Sequence, residues 1–254
     1  GSTSSELRAV TRAPRQQLRA DYEAAAALCL KMGMRSCKQL REAKLVYCNF
    51  KGLSVDDLAT LGTLGSVLPE LERLILIEPA AGPDGVQRLA ERLGAGALPA
   101  VAVLGLDGMH VGDAGASTLA ATLGRGALPR LQRLWLTNAA IGDAALVALA
   151  PALRRRPALE HLNLHGNPFG DEGLAALVAP PPPPAGALPP PTGVLAKLKV
   201  LNISSTQVTD AGCAALAAAL DSLSSLVHFS LDGIPASAAA KTAVYAAMDR
   251  LQLL

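Results

Sequence analysis

A pattern of leucines returns seven times along this chain at an almost constant interval. Its clearest copy is LEHLNLHGNPFGDEGLAAL, Leu159 to Leu177, which reads LxxLxLxxNxF with Leu159, Leu162, Leu164, Asn167 and Phe169 in the key positions. The same frame stands at Leu71-Leu74-Leu76, Val101-Leu104-Leu106, Leu131-Leu134-Leu136, Leu198-Leu201-Ile203 and Leu226-Phe229-Leu231. A degenerate copy begins at Ala43, with Val46 and Cys48. The starts at 43, 71, 101, 131, 159, 198 and 226 lie 28, 30, 30, 28, 39 and 28 residues apart. Self-similarity at such a period means an array of like units and excludes an irregular globule.

The chemistry of one unit follows from its alternation. Leu162 and Leu164 fall on one side of a short strand, while His161, Asn163 and His165 fall on the other. Asn167-Pro168 turns the chain, and Asp171 stands where a helix N-cap is wanted, ahead of EGLAALVA. Asp84, Asp113, Asp143 and Asp210 take the same place in other copies, with Asp56 in the first. A unit of strand, turn and helix cannot bury its leucines alone. Stacking seven of them gives one continuous core, parallel strands along a concave face and helices on the convex side. The predicted fold is therefore an α/β solenoid of about seven repeats of 28–30 residues.

The ends and one interruption complete the plan. Residues 1–42 read as a basic arm followed by a capping helix over 16–32, QQLRADYEAAAALCLKM. The repeats occupy 43–235, and 236–254 closes the array with a helix, ASAAAKTAVYAAMDRLQ. The one long interval is explained by residues 179–193, APPPPPAGALPPPTG, which hold eight of the chain's 18 prolines. Proline lacks the donor that a helix needs, so the segment reads as an extended polyproline II excursion. It is either a ligand for an SH3- or WW-type groove or a tolerated loop insertion, and the Arg or Lys flanks typical of such ligands are absent.

Period and motif together resemble the leucine-rich repeat family, in particular the ribonuclease-inhibitor type with α-helices on the convex side, over roughly residues 43–242. The resemblance implies an asparagine at the ninth position of each copy, bonding backbone between coils. Only Asn167 supplies it; Lys51, Pro79, Met109, Ala139, Thr206 and Ile234 stand elsewhere. The asparagine ladder is thus incomplete, and apolar stacking is expected to carry the fold. TQVTDAGCAALAAALDS and LDGIPASAAAKTAVYAAM also resemble alanine-rich repeat proteins of microalgae, which implies a plastid setting.

Composition narrows the function classes. Half the residues are hydrophobic, 17% are charged and 3% aromatic, so the core is built from Leu, Ala and Val. No apolar run reaches the roughly 18 residues of a membrane-spanning helix, and the chain reads as soluble or peripheral. The net charge of +2 conceals an asymmetry: residues 1–44 carry nine Lys/Arg against four Asp/Glu, or +5, leaving −3 for the rest. Arg8, Arg12, Arg15 and Arg19 form a basic arm that either meets an acidic partner or is a solvated helix face. The start Gly1-Ser2-Thr3-Ser4-Ser5 fits a cloning scar or the mature end left by a removed targeting peptide. Cys29, Cys37, Cys48 and Cys213 show no CxxC pair and read as reduced, buried thiols of an intracellular protein. Continued as one helix, Cys29 and Cys37 would lie about 12 Å apart, too far for a disulfide.

With the frame fixed, the concave face reads off in three rows. The central row is Tyr47, Ile75, Gly105, Trp135, Asn163, Asn202 and Ser230. One flank is Leu45, Arg73, Val103, Arg133, His161, Val200 and His228; the other is Asn49, Ile77, Asp107, Thr137, His165, Ser204 and Asp232. Trp135, the single tryptophan, projects beside Arg133 and His161, and Trp and Arg dominate interface energies. The other reading has Trp135 packing on neighbouring strands with no partner. The candidate partner-binding residues are Tyr47, Arg73, Ile75, Asp107, Arg133, Trp135, His161, Asn163, His165, Asn202 and His228. His161 and His165 are about 13 Å apart along a strand, and His161 and His228 about 9–10 Å apart across two strand spacings. Neither pair holds one zinc ion at about 2.1 Å, so no metal and no cofactor is expected.

No GxSxG, phosphate loop or HExxH is present, and GLDGMHVGDAG follows the repeat frame, so no catalytic residue is expected. Arg154-Arg155-Arg156 reads as a complement to a helix dipole, and aromatics for base stacking are scarce, so nucleic acid is not the expected partner. The expected function is a non-catalytic scaffold for a protein partner, as a subunit of a larger assembly, with peripheral attachment to a membrane complex and no homo-oligomer. The alternatives are a free cytosolic recognition module and, on the family resemblance, a GTPase-activating protein of the Ran-directed type.

Overall fold

The computed structural model describes residues 2–178 and 195–252, with side chains described for 16–178 and 195–250. The proline-rich segment 179–193 lies outside the described residues, as do the side chains of Arg8, Arg12 and Arg15. Seven strands follow in chain order: β1 (Leu45–Asn49), β2 (Arg73–Ile77), β3 (Val103–Gly105), β4 (Arg133–Trp135), β5 (His161–Asn163), β6 (Val200–Asn202) and β7 (His228–Ser230). All pair in parallel with their sequence neighbours in one open sheet. Between them run α3 (Val55–Leu64), α4 (Gly82–Arg92), α5 (Gly112–Gly124), α6 (Asp143–Arg154), α7 (Asp171–Val178) and α8 (Asp210–Ala219). At the ends stand α1 (Ser2–Lys31), α2 (Cys37–Arg41) and α9 (Ala238–Gln252).

The frame leucines explain this order. Leu134, Leu136, Leu162, Leu164, Leu201 and Ile203 are wholly buried between the sheet and the helices, with Phe169 at the floor of its turn. Strands sit about 4.8 Å apart and packed helices about 8–10 Å apart, so a stack of such units curves with its strands inside. The strands are in register: Tyr47, Ile75, Gly105, Trp135, Asn163, Asn202 and Ser230 form one row, and the 39-residue interval leaves the β5–β6 pairing undisturbed.

A few polar side chains hold the turns of the incomplete asparagine ladder. Asn167 is buried; its Oδ1 accepts from the Ala139 and Ile141 N–H groups at 3.0 Å, and its Nδ2 donates to the Leu136 and Leu164 carbonyls. In the second copy Glu78, also buried, takes the corresponding role: its carboxylate accepts from the backbone N–H groups of Lys51, Gly52 and Leu53 in the coil before. The Thr206 hydroxyl donates to the Ile203 carbonyl within its own turn.

The aspartates do something other than the N-capping expected of them. Each lies inside its helix, at the first, second or third position, while Ser54, Gly142 and Thr209 occupy the N-cap positions of α3, α6 and α8. Three of the carboxylates point along the stack instead. Asp143 accepts from Gly170 and Gly173 at the start of α7, Asp171 from Thr209 and Gly212 at the start of α8, and Asp210 from Ser237 ahead of α9. Each carboxylate thus satisfies orphan donors of the next helix, which its negative charge also favours. The first two contacts need a residue without a side chain two places into the receiving helix. A Cβ on Gly173 would lie 2.7 Å from Asp143 Oδ1, and one on Gly212 only 2.4 Å from Asp171 Oδ1.

The other helix ends are bridged by arginine. Arg154 donates to the Ala176 carbonyl in α7, and Arg156 to the Leu123 and Leu128 carbonyls at the end of α5 and just beyond it. The basic run thus serves the C-terminal turns of the flanking helices, where a cation is favoured, and not mainly that of its own.

Two expectations fail at the N-terminal end. The capping helix starts at Ser2, well before residue 16, and only its last part covers the first coil: Ala25, Leu28, Cys29 and Met32 are buried, while residues 16–24 are exposed. The separation of Cys29 from Cys37 fails too, because the helix does not continue between them. It stops at Lys31, Gly33 takes φ 81°, and the chain folds back until the two sulfurs are 3.7 Å apart. Cys37, moreover, is only partly buried.

Candidate functional site

The strand residues whose side chains face away from the leucine core form the candidate surface. Along the central row exposure varies: Tyr47 is 51% exposed, Ile75 is buried, and Trp135, Asn163, Asn202 and Ser230 are half-buried. Ile75 is thereby a packing residue more than a contact one. Trp135 leans over the neighbouring strand, where Gly105 leaves it room; a Cβ on Gly105 would lie 3.3 Å from the indole and 3.2 Å from Ile75. Trp135 thus packs part of its ring against β3 and keeps the rest half-exposed.

Beyond Trp135 the sheet dips into a hollow of about 170 Å³. Trp135, His161, His228, Asn202 and Val200 line it. That is below the roughly 300–1,000 Å³ of small-molecule sites, and it matches a socket for one side chain. Asn163 and Asn202 are partly committed, since each Oδ1 accepts from the backbone two residues on, at His165 and Ser204. Ser204 and Ser230 share a 2.6 Å hydrogen bond, and Ser230 donates to Asp232. Asp107 accepts from the Thr137 N–H and so serves the turn.

The flank that runs from Leu45 through Arg73 and Arg133 to His228 carries two arginines. Arg73 and Arg133 are exposed and have no ion pair among the described residues, whereas the adjoining Lys44 and Lys199 pair with Glu72 and Glu160 at 3.2 and 3.1 Å. Partial burial and the neighbouring Arg133 hold the His161 imidazole below its ordinary value, with Lys199 adding and Glu160 opposing. A neutral histidine between cations is placed to gain a proton when an anion arrives. His165 lies on the far flank, half-buried. His161 and His228 share the hollow, two strands apart. Among the described residues no three His, Cys, Asp or Glu side chains converge on a point that could hold a metal.

The basic arm is only partly in view: Arg19 makes an exposed ion pair with Glu23 at 2.9 Å, a contact worth little by itself. Leu18, Tyr22 and Leu30 are about 70% exposed on the same helix, an apolar feature that the charge pattern of the arm concealed. Two larger clefts flank α2, one of about 440 Å³ between Met34 and Leu45 and one of about 470 Å³ beside Cys37. Sequence reasoning found neither, since both arise where the fold-back after Lys31 meets the first coil.

A leucine-rich repeat family model matches residues 157–178 and 194–217, the two stretches that hold β5–α7 and β6–α8. Those matches fall on the sheet described above, with its seven parallel strands alternating with helices. The fold is that of a leucine-rich repeat solenoid. No curated protein matches it. The inner row of the solenoid, from Tyr47 to Ser230, runs through both matched repeats, and the hollow next to Trp135 lies where they meet the fourth strand. No helix among the described residues is long and apolar enough to cross a membrane.

Proposed function

We propose that this leucine-rich repeat chain is a scaffold that holds a protein partner on its strand face, with an acidic segment of the partner lying along Arg73, Arg133, His161 and His228 and one side chain seated next to Trp135. The carrying observation is the half-open indole of Trp135 at the edge of a hollow sized for one side chain, with Arg133, free of any ion pair among the described residues, on the same strand and Arg73 two strands away on the same flank. Leucine-rich repeats commonly mediate protein–protein contacts, which supports this role. The role needs no chemistry from the chain itself.

We further propose that the chain is a stoichiometric subunit of a larger assembly, held also through the exposed Leu18, Tyr22 and Leu30 of α1 and the basic residues of its arm. The resemblance to microalgal repeat proteins makes a plastid photosynthetic complex the setting to test first. A free recognition module or a GTPase-activating protein would use the strand face and leave α1 bare. The experiment is the native mass of the protein in extract from its source, with mass spectrometry of what comigrates. Comigration with a large complex is expected; migration as a monomer overturns the subunit reading.

Once the partner is in hand, Trp135→Ala should weaken binding by about 2 kcal/mol, roughly 30-fold, while thermal unfolding moves by only a few degrees. Unchanged affinity in both Trp135→Ala and Arg133→Ala would remove the strand face from the account.

A further inference from the structure

The fold-back after α1 builds a pair of thiols that the strand face does not use. Cys29 is buried under the first coil, and its Sγ lies 3.7 Å from that of Cys37, the first residue of α2. Cys37 is partly exposed and lines the 470 Å³ cleft together with Leu40, Arg41, Leu64, Leu68 and Pro69. The arrangement is asymmetric: one sulfur can be reached from solvent and the other only through it. Cys48 and Cys213 are buried elsewhere and free.

We infer that Cys29 and Cys37 form a redox-active pair that closes to an intramolecular disulfide when a small-molecule disulfide of the glutathione type enters the cleft. A disulfide needs its sulfurs at about 2.05 Å, so they must approach by less than 2 Å, within reach of side-chain rotation about two short Cβ arms. The cleft volume falls in the range of small-molecule sites, and Arg41 on its wall offers a cation to the carboxylates of such a molecule.

The steps balance. The Cys37 thiolate attacks one sulfur of the oxidant, and the other half leaves as a thiolate that takes up the proton Cys37 gave to solvent. Cys29 then loses its proton to solvent, and its sulfur displaces the second half from Cys37, which leaves as a second thiol. Two protein thiols are oxidised and one small-molecule disulfide is reduced to two thiols. Burial and the neighbouring Cys37 push the Cys29 thiol up to about 12, so Cys29 does not make the first attack; its 3.7 Å approach to Cys37 is what places it for the second. The bond would fasten α1 to the segment leading into β1, fixing the capping helix on the array.

The test uses the full chain and oxidised glutathione. Expected is a fall from four titratable thiols to two, a product two hydrogen atoms lighter, and a tryptic product linking Ala20–Lys31 to Ser36–Lys38 that reductant separates. Cys29→Ser should instead stop at a stable glutathione adduct on Cys37, and Cys37→Ser should leave Cys29 as unreactive as Cys48 and Cys213. A wild-type chain that keeps four thiols overturns the inference, as does one that accumulates the glutathione adduct without closing or links Cys29 to another cysteine.

Discussion

Asn167 shows what one residue can hold in this fold. Its side chain makes hydrogen bonds to both its own turn and the turn before, with no exposure to water. Asn167→Ala leaves at least two buried N–H groups without a partner, at about 1–3 kcal/mol each. The melting temperature should fall by roughly 10 °C, given about 2–4 °C per kcal/mol for a chain of this size; a fall under about 2 °C would mean that water replaces the amide. His161 gives a pH signature. Partial burial, reinforced by Arg133, holds its folded value below its ordinary one, so the unfolded chain takes up the proton first. As pH falls through about 6.5 stability should drop, and the loss should level off below the folded value, where both states carry the proton. Urea titrations between about pH 5 and 8 should show this step in the wild type and not in His161→Gln. A step of the same size in that variant would assign it to another group.

At the scale of elements, the helices are coupled by their aspartates. Asp143, Asp171 and Asp210 each hold the start of the following helix or its cap, and Gly173 and Gly212 make room for the first two of these contacts. Gly→Ala inside a helix ordinarily stabilises by close to 1 kcal/mol. Gly173→Ala should do the reverse, costing about 1–2 kcal/mol, because its Cβ meets the Asp143 carboxylate at 2.7 Å. In an Asp143→Ala background most of that cost should vanish, since the remaining contacts are at 3.2–3.3 Å. A double-mutant cycle reads the coupling, and additive effects would show that the carboxylate is not what excludes the methyl group. Asp210 is lowered by its hydrogen bonds from the Ser237 N–H and hydroxyl. Its contribution is present above the ordinary aspartate range and disappears as pH falls through the lowered value.

For the whole molecule, each coil touches mainly its neighbours, so stability is close to a sum over units and their interfaces. The interval of 39 residues between the fifth and sixth copies breaks the period, yet β5 and β6 pair in the same register as the rest. Loop-closure entropy grows only by about 0.6 kcal/mol per doubling of length. Deleting eleven residues within 179–193, which restores the 28-residue interval, should therefore leave the melting temperature unchanged or raised by about 1–2 °C. A drop of several degrees would show that the segment packs on the solenoid.

The period and alternation of the leucines by themselves determined the seven parallel strands, their order and the three rows of the strand face, because a repeat forces identical units into register. Asn167, Trp135 and the histidines of the strand face were legible for the same reason: each stands at a numbered place in the frame. Tertiary structure decided what depends on the gap between coils. Asp143, Asp171 and Asp210 face the next helix and not their own cap. Glu78 stands in for the missing asparagine, Gly105 makes the room that Trp135 fills, and Arg154 and Arg156, at and just past the end of α6, reach the ends of its neighbours. None of these is fixed by local spacing, since the partner lies about a repeat away and the distance is set by stacking. Cys29 and Cys37 fall under the same rule: a helix continued through both would have kept them apart, and the turn at Gly33, where the capping helix meets the first coil, brings them together.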